Sequence, residues 1–356
     1  MAKLRAGVIG LGMGWNHLNG YMTHPDVEVV AIADRLESKR EAVKREYPGI
    51  PKLYSEGIDL IKNEKLDILS VAVPNNQHKD LTVAGLKAGA NVLCEKPMAL
   101  NTAEALEMLE TAQKLNLKLG IDFSYRFNPQ SRAMKALVEE GRLGEIYFGR
   151  SVWLRRRGVP GLVSGFNTKG AAGAWFFDKQ QSGGGPLIDL GVHRLDLALW
   201  LMGYPEVDYV MGNTYCKLAK DMAKKYQQNY SVEDFACAMI KFKNGAMLEL
   251  EASWASNIKE NEQMSTRLVG DKGGLFQYNL NEGYTYDVEY YQEIDGKQFD
   301  SKLHSPAPDT PSAFHMFVDA VRDNKAFLVR PEEGVIVMKI LDAIYKSAAT
   351  GEPVKF

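Results

Sequence analysis

An apolar run from Leu4 to Ile9 stops at Gly10, and the residues that follow, Leu11-Gly12-Met13-Gly14-Trp15, lead into a stretch from Asn16 to Met22 that can continue as a helix. Strand, glycine turn and helix in that order leave few folds open. Glycines at 10 and 12 let the backbone turn sharply and approach a pyrophosphate, whose charge meets the free N–H groups of the helix N-terminus. Such a turn alone is common in unrelated α/β folds. A second apolar run, Val27 to Ala33, ends in Asp34, twenty-four residues after Gly10. A carboxylate there can accept hydrogen bonds from an adenine-side ribose, which makes the dinucleotide reading the stronger one. In the GxGxxG pattern the last glycine would fall at Trp15, with Gly14 one residue early, so the helix is expected further from the strand than usual.

The alternation continues. Leu66 to Val73 reads as a buried strand ending at Pro74, and Lys79 to Ala88 as the returning helix. Asn91 to Cys94 is a further strand closed by Glu95-Lys96-Pro97, followed by a helix from Thr102 to Leu115. Strands separated by helices form a parallel sheet, whose ligands sit at the strands' carboxyl ends. After Asp122 the apolar runs are Ile146 to Leu154, Val207 to Tyr215, Phe235 to Phe242, Ala246 to Trp254 and Met264 to Val269. A hairpin is expected at Lys243-Asn244-Gly245, and closing helices near 312–322 and 331–349.

A chain of 356 residues accommodates two domains, expected at 1–123 and 124–356. With 43 basic and 45 acidic side chains, net charge -2, it offers no general attraction to nucleic acid or anionic membrane. The glycine turn stands where a secretory peptide would carry its apolar stretch, no window is long enough to span a bilayer, and Cys94, Cys216 and Cys237 are too scattered for a disulfide framework. A cytoplasmic protein with reduced thiols is expected.

The motifs GLGMG, AVPNNQH, CEKPMALN, YRFNP, GRLGEI, GGGPLIDLGVHRLDLALWLMG, FKNGAMLELEASWA and LDAIYKSAATGEPV, in that order and spacing, resemble the Gfo/Idh/MocA family of glucose–fructose oxidoreductase and inositol dehydrogenase over nearly the whole chain. The resemblance implies an α/β protein: an N-terminal Rossmann doubly wound parallel sheet, then an α/β domain with a large, mostly antiparallel open sheet. It also implies a nicotinamide cofactor and a sugar, cyclitol or related polyol as substrate. Cofactor residues would be Gly10, Gly12, Met13, Gly14, Asp34, Arg35, Pro74, Asn75, His78, Glu95 and Lys96, although Asn75 or Asn76 can equally cap a helix. Asp34 would repel a 2′-phosphate and favours NAD, while Arg35 keeps NADP open. The uncovered sheet face implies a homo-oligomer, dimer or tetramer.

The resemblance places Lys96, Asp189 and His193 at the reacting carbinol. Asp189 and His193 are four apart behind Pro186, which suits a first helical turn, so both should project from one face. Alcohol oxidation needs a base for the hydroxyl proton as hydride leaves, and His193 is the candidate; an ammonium at Lys96 would steady the developing alkoxide. Asp189 either orients a substrate hydroxyl or holds His193. A histidine bonded only to Asp196 or Asp189 is the structural alternative. A metal on Asp189, His193 and Asp196 lacks further ligands, so none is expected. Cys94, inside an apolar strand, reads as a buried thiol. The segment 153–181 should select the substrate, with Tyr125, Arg155, Trp175 and the pair Asp189 and His193 as expected contacts; Arg157 and Phe176 are weaker candidates. Two other functions fit the pattern: a glycosidase that oxidises its sugar transiently with bound NAD, and a non-catalytic dinucleotide sensor.

Overall fold

The computed structural model describes residues 2–160, 174–225, 229–304 and 311–356. They form two compact units, residues 1–123 with 311–338, and residues 124–310 with 339–356.

In the first unit strands β1 (Leu4–Ile9), β2 (Val27–Ala33), β3 (Lys52–Tyr54), β4 (Ile68–Val71), β5 (Asn91–Cys94) and β6 (Leu119–Ile121) lie parallel in the order β3-β2-β1-β4-β5-β6. Helices α1 (Gly14–Met22), α2 (Glu37–Glu46), α3 (Gly57–Asn63), α4 (His78–Lys87) and α5 (Thr102–Leu115) connect them. A parallel sheet covered on both faces demands continuous apolar runs, and every residue of β4 is buried. The strand order reverses between β1 and β4, which opens a crevice at their carboxyl ends.

The glycine turn occupies that point. Gly10 has φ +86°, and a Cβ on it would stand 2.2 Å from the carbonyl oxygen of Ala72. Gly12 faces open space, with only the Lys39 Nζ 4.0 Å from where its Cβ would be. At Gly14 a Cβ would come within 3.1 Å of the Ala72 Cβ and 3.2 Å of the Val8 Cγ1. Helix and strand therefore meet closely at Gly14, which corrects the expectation of a helix set back because Trp15 replaces the usual glycine.

The second unit holds α6 (Pro129–Glu139), β7 (Ile146–Arg155), α7 (Lys179–Ser182), α8 (Val192–Met202), β8 (Val207–Tyr215), α9 (Ala219–Lys225), β9 (Phe235–Phe242), β10 (Met247–Ser253), β11 (Glu262–Gly270), β12 (Gly273–Leu280), β13 (Thr285–Ile294) and β14 (Lys297–Lys302). With the terminal β15 (Val354–Lys355) they build a nine-stranded sheet, β14-β13-β12-β11-β7-β10-β9-β8-β15. Its pairs are antiparallel except β7 with β10. Alternation governs these strands: in β9, Ala236, Ala238, Ile240 and Phe242 are buried while Phe235, Cys237, Met239 and Lys241 are not. The turn before β10 closes at Gly245, φ +93°, whose N–H reaches the Phe242 carbonyl at 3.0 Å.

The expected division at 124–356 omits one return. Helix α10 (Ala313–Arg322), capped by the Ser312 hydroxyl on the His315 N–H at 3.2 Å, belongs to the first unit. Phe314 packs against the His17 ring, centroids 4.5 Å apart, and covers Gly20, where a Cβ would lie 2.4 Å from its ring. Helix α11 (Pro331–Thr350) is one helix whose residues through Met338 count with the first unit and the remainder with the second.

The glycine geometry separates stability from binding. Gly10→Ala is expected to lose about 2 kcal/mol or more, through its positive φ and the carbonyl it strikes. Gly12→Ala is expected to stay within about 0.5 kcal/mol of the parent while weakening NADH binding by about tenfold. Urea unfolding and NADH fluorescence titration read the two effects.

Candidate active-site residues

At the end of β2 the Asp34 carboxylate accepts the Leu11 N–H at 2.7 Å through Oδ2 and the Leu36 N–H at 2.8 Å through Oδ1. It thus ties the glycine turn to the start of α2, with lone pairs left for a ribose hydroxyl. Arg35 turns to Glu56, Nε to Oε2 3.2 Å. Lys39 stands 3.5 Å from the Asp34 carboxylate and Arg40 donates to the Asp34 carbonyl at 2.6 Å, two residues that sequence reasoning passed over because they lie on the next helix. Met13 is exposed, and among the described residues no side chain caps the N-terminus of α1. Open space at Gly12, uncapped N–H groups and Asp34 together fit a dinucleotide.

Among the expected cofactor residues, His78 and Glu95 are buried. After Pro74 the chain makes one 3₁₀ turn, Asn75–Gln77, with Asn75 buried. His78 is fully buried, its Nδ1 2.8 Å from the Pro97 carbonyl oxygen and its Nε2 2.9 Å from that of Val73. Burial lowers its pKa, outweighing both carbonyls. Its ring therefore joins the loops after β4 and β5. Glu95 is buried as well. Its Oε1 lies 3.2 Å from His17 Nε2, and its Oε2 accepts the Lys96 N–H at 3.1 Å. Lys96 itself stands half-buried after β5, and its bond to Pro97 is cis. Cys94 is buried, and burial pushes its thiol well above its ordinary value.

Around His17 the first unit buries a polar cluster. His17 Nδ1 meets the Ser70 hydroxyl at 2.9 Å, which meets the Tyr21 hydroxyl at 2.7 Å. Asp122 Oδ2 lies 3.6 Å from His17 Nε2. Burial would raise Glu95, but His17 and then Lys96 hold it below its ordinary value. Asp122 is pushed up to about 7 by burial and by the Glu95 charge.

In the second unit the glycine run before α8 is anchored by a residue that sequence reasoning missed. The buried Glu233 accepts the N–H groups of Gly185 at 2.9 Å and Leu187 at 3.2 Å and the Tyr345 hydroxyl at 2.8 Å, all on Oε1. A π turn follows, Leu187–Gly191, in which the Val192 N–H reaches the Leu187 carbonyl, before α8 begins. Asp189, inside this π turn, and His193, at the start of α8, are both half-buried; a plain α-helix was expected over the pair. Trp254 Nε1 donates to Asp189 Oδ2 at 3.0 Å. The His193 ring lies edge-on to Tyr125, centroids 5.2 Å apart, and 5.7 Å from Trp153. Burial pushes the Tyr125 hydroxyl, 3.0 Å from that of Tyr286, well above its ordinary value.

The next residue, Arg194, is fully buried within three rings, its Cζ 4.6 Å from Tyr125, 5.2 Å from Trp153 and 5.5 Å from Tyr286. Arg155 gives its Nε to Glu262 at 2.8 Å and an Nη to the Tyr284 hydroxyl at 2.9 Å. Burial opposes its charge, yet the carboxylates of Glu262 and then Asp189 raise its pKa. Arg157 bonds Asn257 at 2.8 Å. Asp196, considered as a partner or metal ligand, is buried against Arg126 with contacts of 2.9 and 2.5 Å. Trp175 stacks on Phe176, centroids 3.9 Å apart; residues 161–173 of the expected substrate-selecting segment lie outside the described residues.

The first unit has the strand order, glycine turn and strand-end carboxylate of a dinucleotide-binding Rossmann domain. Residues 4–123 match the family profile described as "Oxidoreductase family, NAD-binding Rossmann fold", and 135–356 match its "C-terminal alpha/beta domain". The chain belongs to the Gfo/Idh/MocA oxidoreductase family. It is 33% identical to D-glucoside 3-dehydrogenase of Escherichia coli, over 99% of this chain and 98% of the relative, and 27% identical to myo-inositol 2-dehydrogenase of Thermotoga maritima, over 87% and 91%. The solved structure of levoglucosan dehydrogenase with NADH and levoglucosan superimposes with TM-score 0.84 at 22% identity, covering 99% of both chains. Among the described residues no helix is long and apolar enough to cross a membrane.

The buried carboxylates yield a pH prediction. A pKa raised on folding contributes stability that is present below the ordinary carboxylate value and is lost as pH rises through about 7. Asp122→Asn, which cannot ionise, is therefore expected to gain in melting temperature relative to the parent as pH goes from 5 to 8, read by thermal denaturation across that range.

Proposed function

We propose that the protein oxidises a ring hydroxyl of a glucoside or closely related cyclic polyol to the ketone, with NAD as hydride acceptor. The observation that carries this reading is the match, over nearly the full length of both chains, to D-glucoside 3-dehydrogenase. NAD, when bound, supplies the electrophilic carbon that takes the hydride.

The chain's own residues supply the rest. His193 takes the hydroxyl proton as the C–H bond gives up its hydride and the C–O bond becomes a carbonyl. The Lys96 ammonium favours the alkoxide as it develops. Asp189, fixed by the Trp254 N–H, positions a neighbouring hydroxyl. Arg155 sets a positive charge against Asp189 and reaches substrate through it, while Tyr125 stays protonated and offers a hydroxyl. Trp175, stacked on Phe176, offers an apolar face to a sugar ring. Asp34 favours NAD over NADP, with Lys39 and Arg35 tempering that preference.

A homo-oligomer, dimer or tetramer, is part of the same proposal. On the open face of the sheet Met211 and Met239 are cross-strand neighbours, 39% and 46% exposed, a pair that a second copy would cover. A cytoplasmic location accords with three cysteines that are all free thiols.

Purified protein with NAD or NADP and a panel of glucosides, aldoses, cyclitols and anhydrosugars is expected to form reduced nicotinamide. His193→Ala is expected to lower turnover by about 10²–10⁴-fold with NADH affinity retained. Absence of net reduction across the panel, with NAD released on denaturation, would replace this reading with the cofactor-recycling glycosidase. Full turnover in His193→Ala would remove that residue from the proton transfer.

A further inference from the structure

The buried polar cluster of the first unit has no part in the chemistry above, yet it ends on the catalytic lysine. One Glu95 oxygen accepts the Lys96 N–H at 3.1 Å while the other lies 3.2 Å from His17 Nε2. His17 belongs to α1, the helix that starts at the dinucleotide turn. Its far nitrogen meets Ser70 on β4, its ring lies against Phe314 of α10, and Asp122 stands 3.6 Å away after β6. His17 is 0% exposed, Glu95 7% and Asp122 5%.

A surface carboxylate would hold the Lys96 backbone loosely, because water competes for both of its oxygens. This cluster is shielded from bulk solvent, and an unpaired carboxylate at such depth is costly enough that Glu95 stays on its two partners. Glu95 thereby links the Lys96 main chain to the imidazole of α1.

We propose that His17 is a positioning residue for Lys96, acting through the Glu95 carboxylate so that the helix facing the dinucleotide also fixes the lysine that serves the substrate oxygen. The proposal rests on the role given to Lys96 above. His17 touches neither cofactor nor substrate in this scheme, and its effect passes entirely through Lys96.

The test is a double-mutant cycle with two readouts. With methyl β-D-glucopyranoside and NAD as the assay pair, His17→Gln is expected to lower kcat by about 10–100-fold, the scale of a small misplacement of a reacting group, with the NADH dissociation constant within about threefold of the parent. In a Lys96→Ala background the same substitution is expected to cost nothing more, since non-additivity marks two residues acting as a unit. Independently of any substrate, trace acetylation with acetic anhydride followed by peptide mass spectrometry is expected to show Lys96 reactivity changed by about threefold or more relative to the exposed Lys87. Losses that multiply in the double variant, or an unchanged Lys96 acetylation rate, would overturn the proposal. Should Lys96→Ala turn over normally, the catalytic role of Lys96 falls, whereas a changed acetylation rate in His17→Gln still upholds the brace. If His17→Gln does not fold, Ser70→Ala removes the hydroxyl on the other ring nitrogen and is expected to give the same pattern with a smaller loss.

Discussion

Gly10 and the Ala72 carbonyl oxygen come so close that no side chain fits between them. That approach lies where the chain leaves β1 and where β4 ends, the two strands between which the sheet order reverses. Everything that the first unit presents to a dinucleotide follows from it. The turn directs the N-terminus of α1 outward, Asp34 reaches back to the Leu11 N–H, and the loops after β4 and β5 emerge on the same edge. A sheet buried on both faces leaves its strand ends as the place where polar side chains can be shown to solvent.

Charge buried behind those ends does the holding. Glu233 gathers two backbone N–H groups and a tyrosine hydroxyl at the start of the segment that carries Asp189 and His193. The Arg126–Asp196 pair fixes the middle of α8, and Arg194 places a guanidinium among three aromatic rings behind His193. Each of these groups would cost several kcal/mol if left unpaired in an apolar interior. The geometry around them is correspondingly hard to deform.

Much of this was legible in the residues alone, for identifiable reasons. β1, β2, β5, α5, β8 and β9 fall where their apolar runs place them, because burial on one or both faces writes a period into the chain. β14 left no such trace, since all six of its residues are exposed, and the sheet's outer strands went unread. The apolar face of α10 announced that it would be covered but not by what; only the fold brings Phe314 onto His17. The motifs marked Lys96, Asp189 and His193, but not the groups that hold them. Glu233, Trp254, Lys39 and His17 act on positions far away in the chain or on a neighbouring element, where local pattern carries no information. The resemblance marked His78 and Glu95 for the cofactor, but no local pattern told that both side chains are buried.

The π turn at Leu187–Gly191 amounts to one residue more than an α-helix would hold over the same stretch. Removing a single residue there would restore the ordinary helix, narrow the turn, and move Asp189 along the chain path relative to Trp254. Chain length at this point is thus constrained independently of side-chain identity. Among related sequences, insertions and deletions should be tolerated on either side of this turn but not within it.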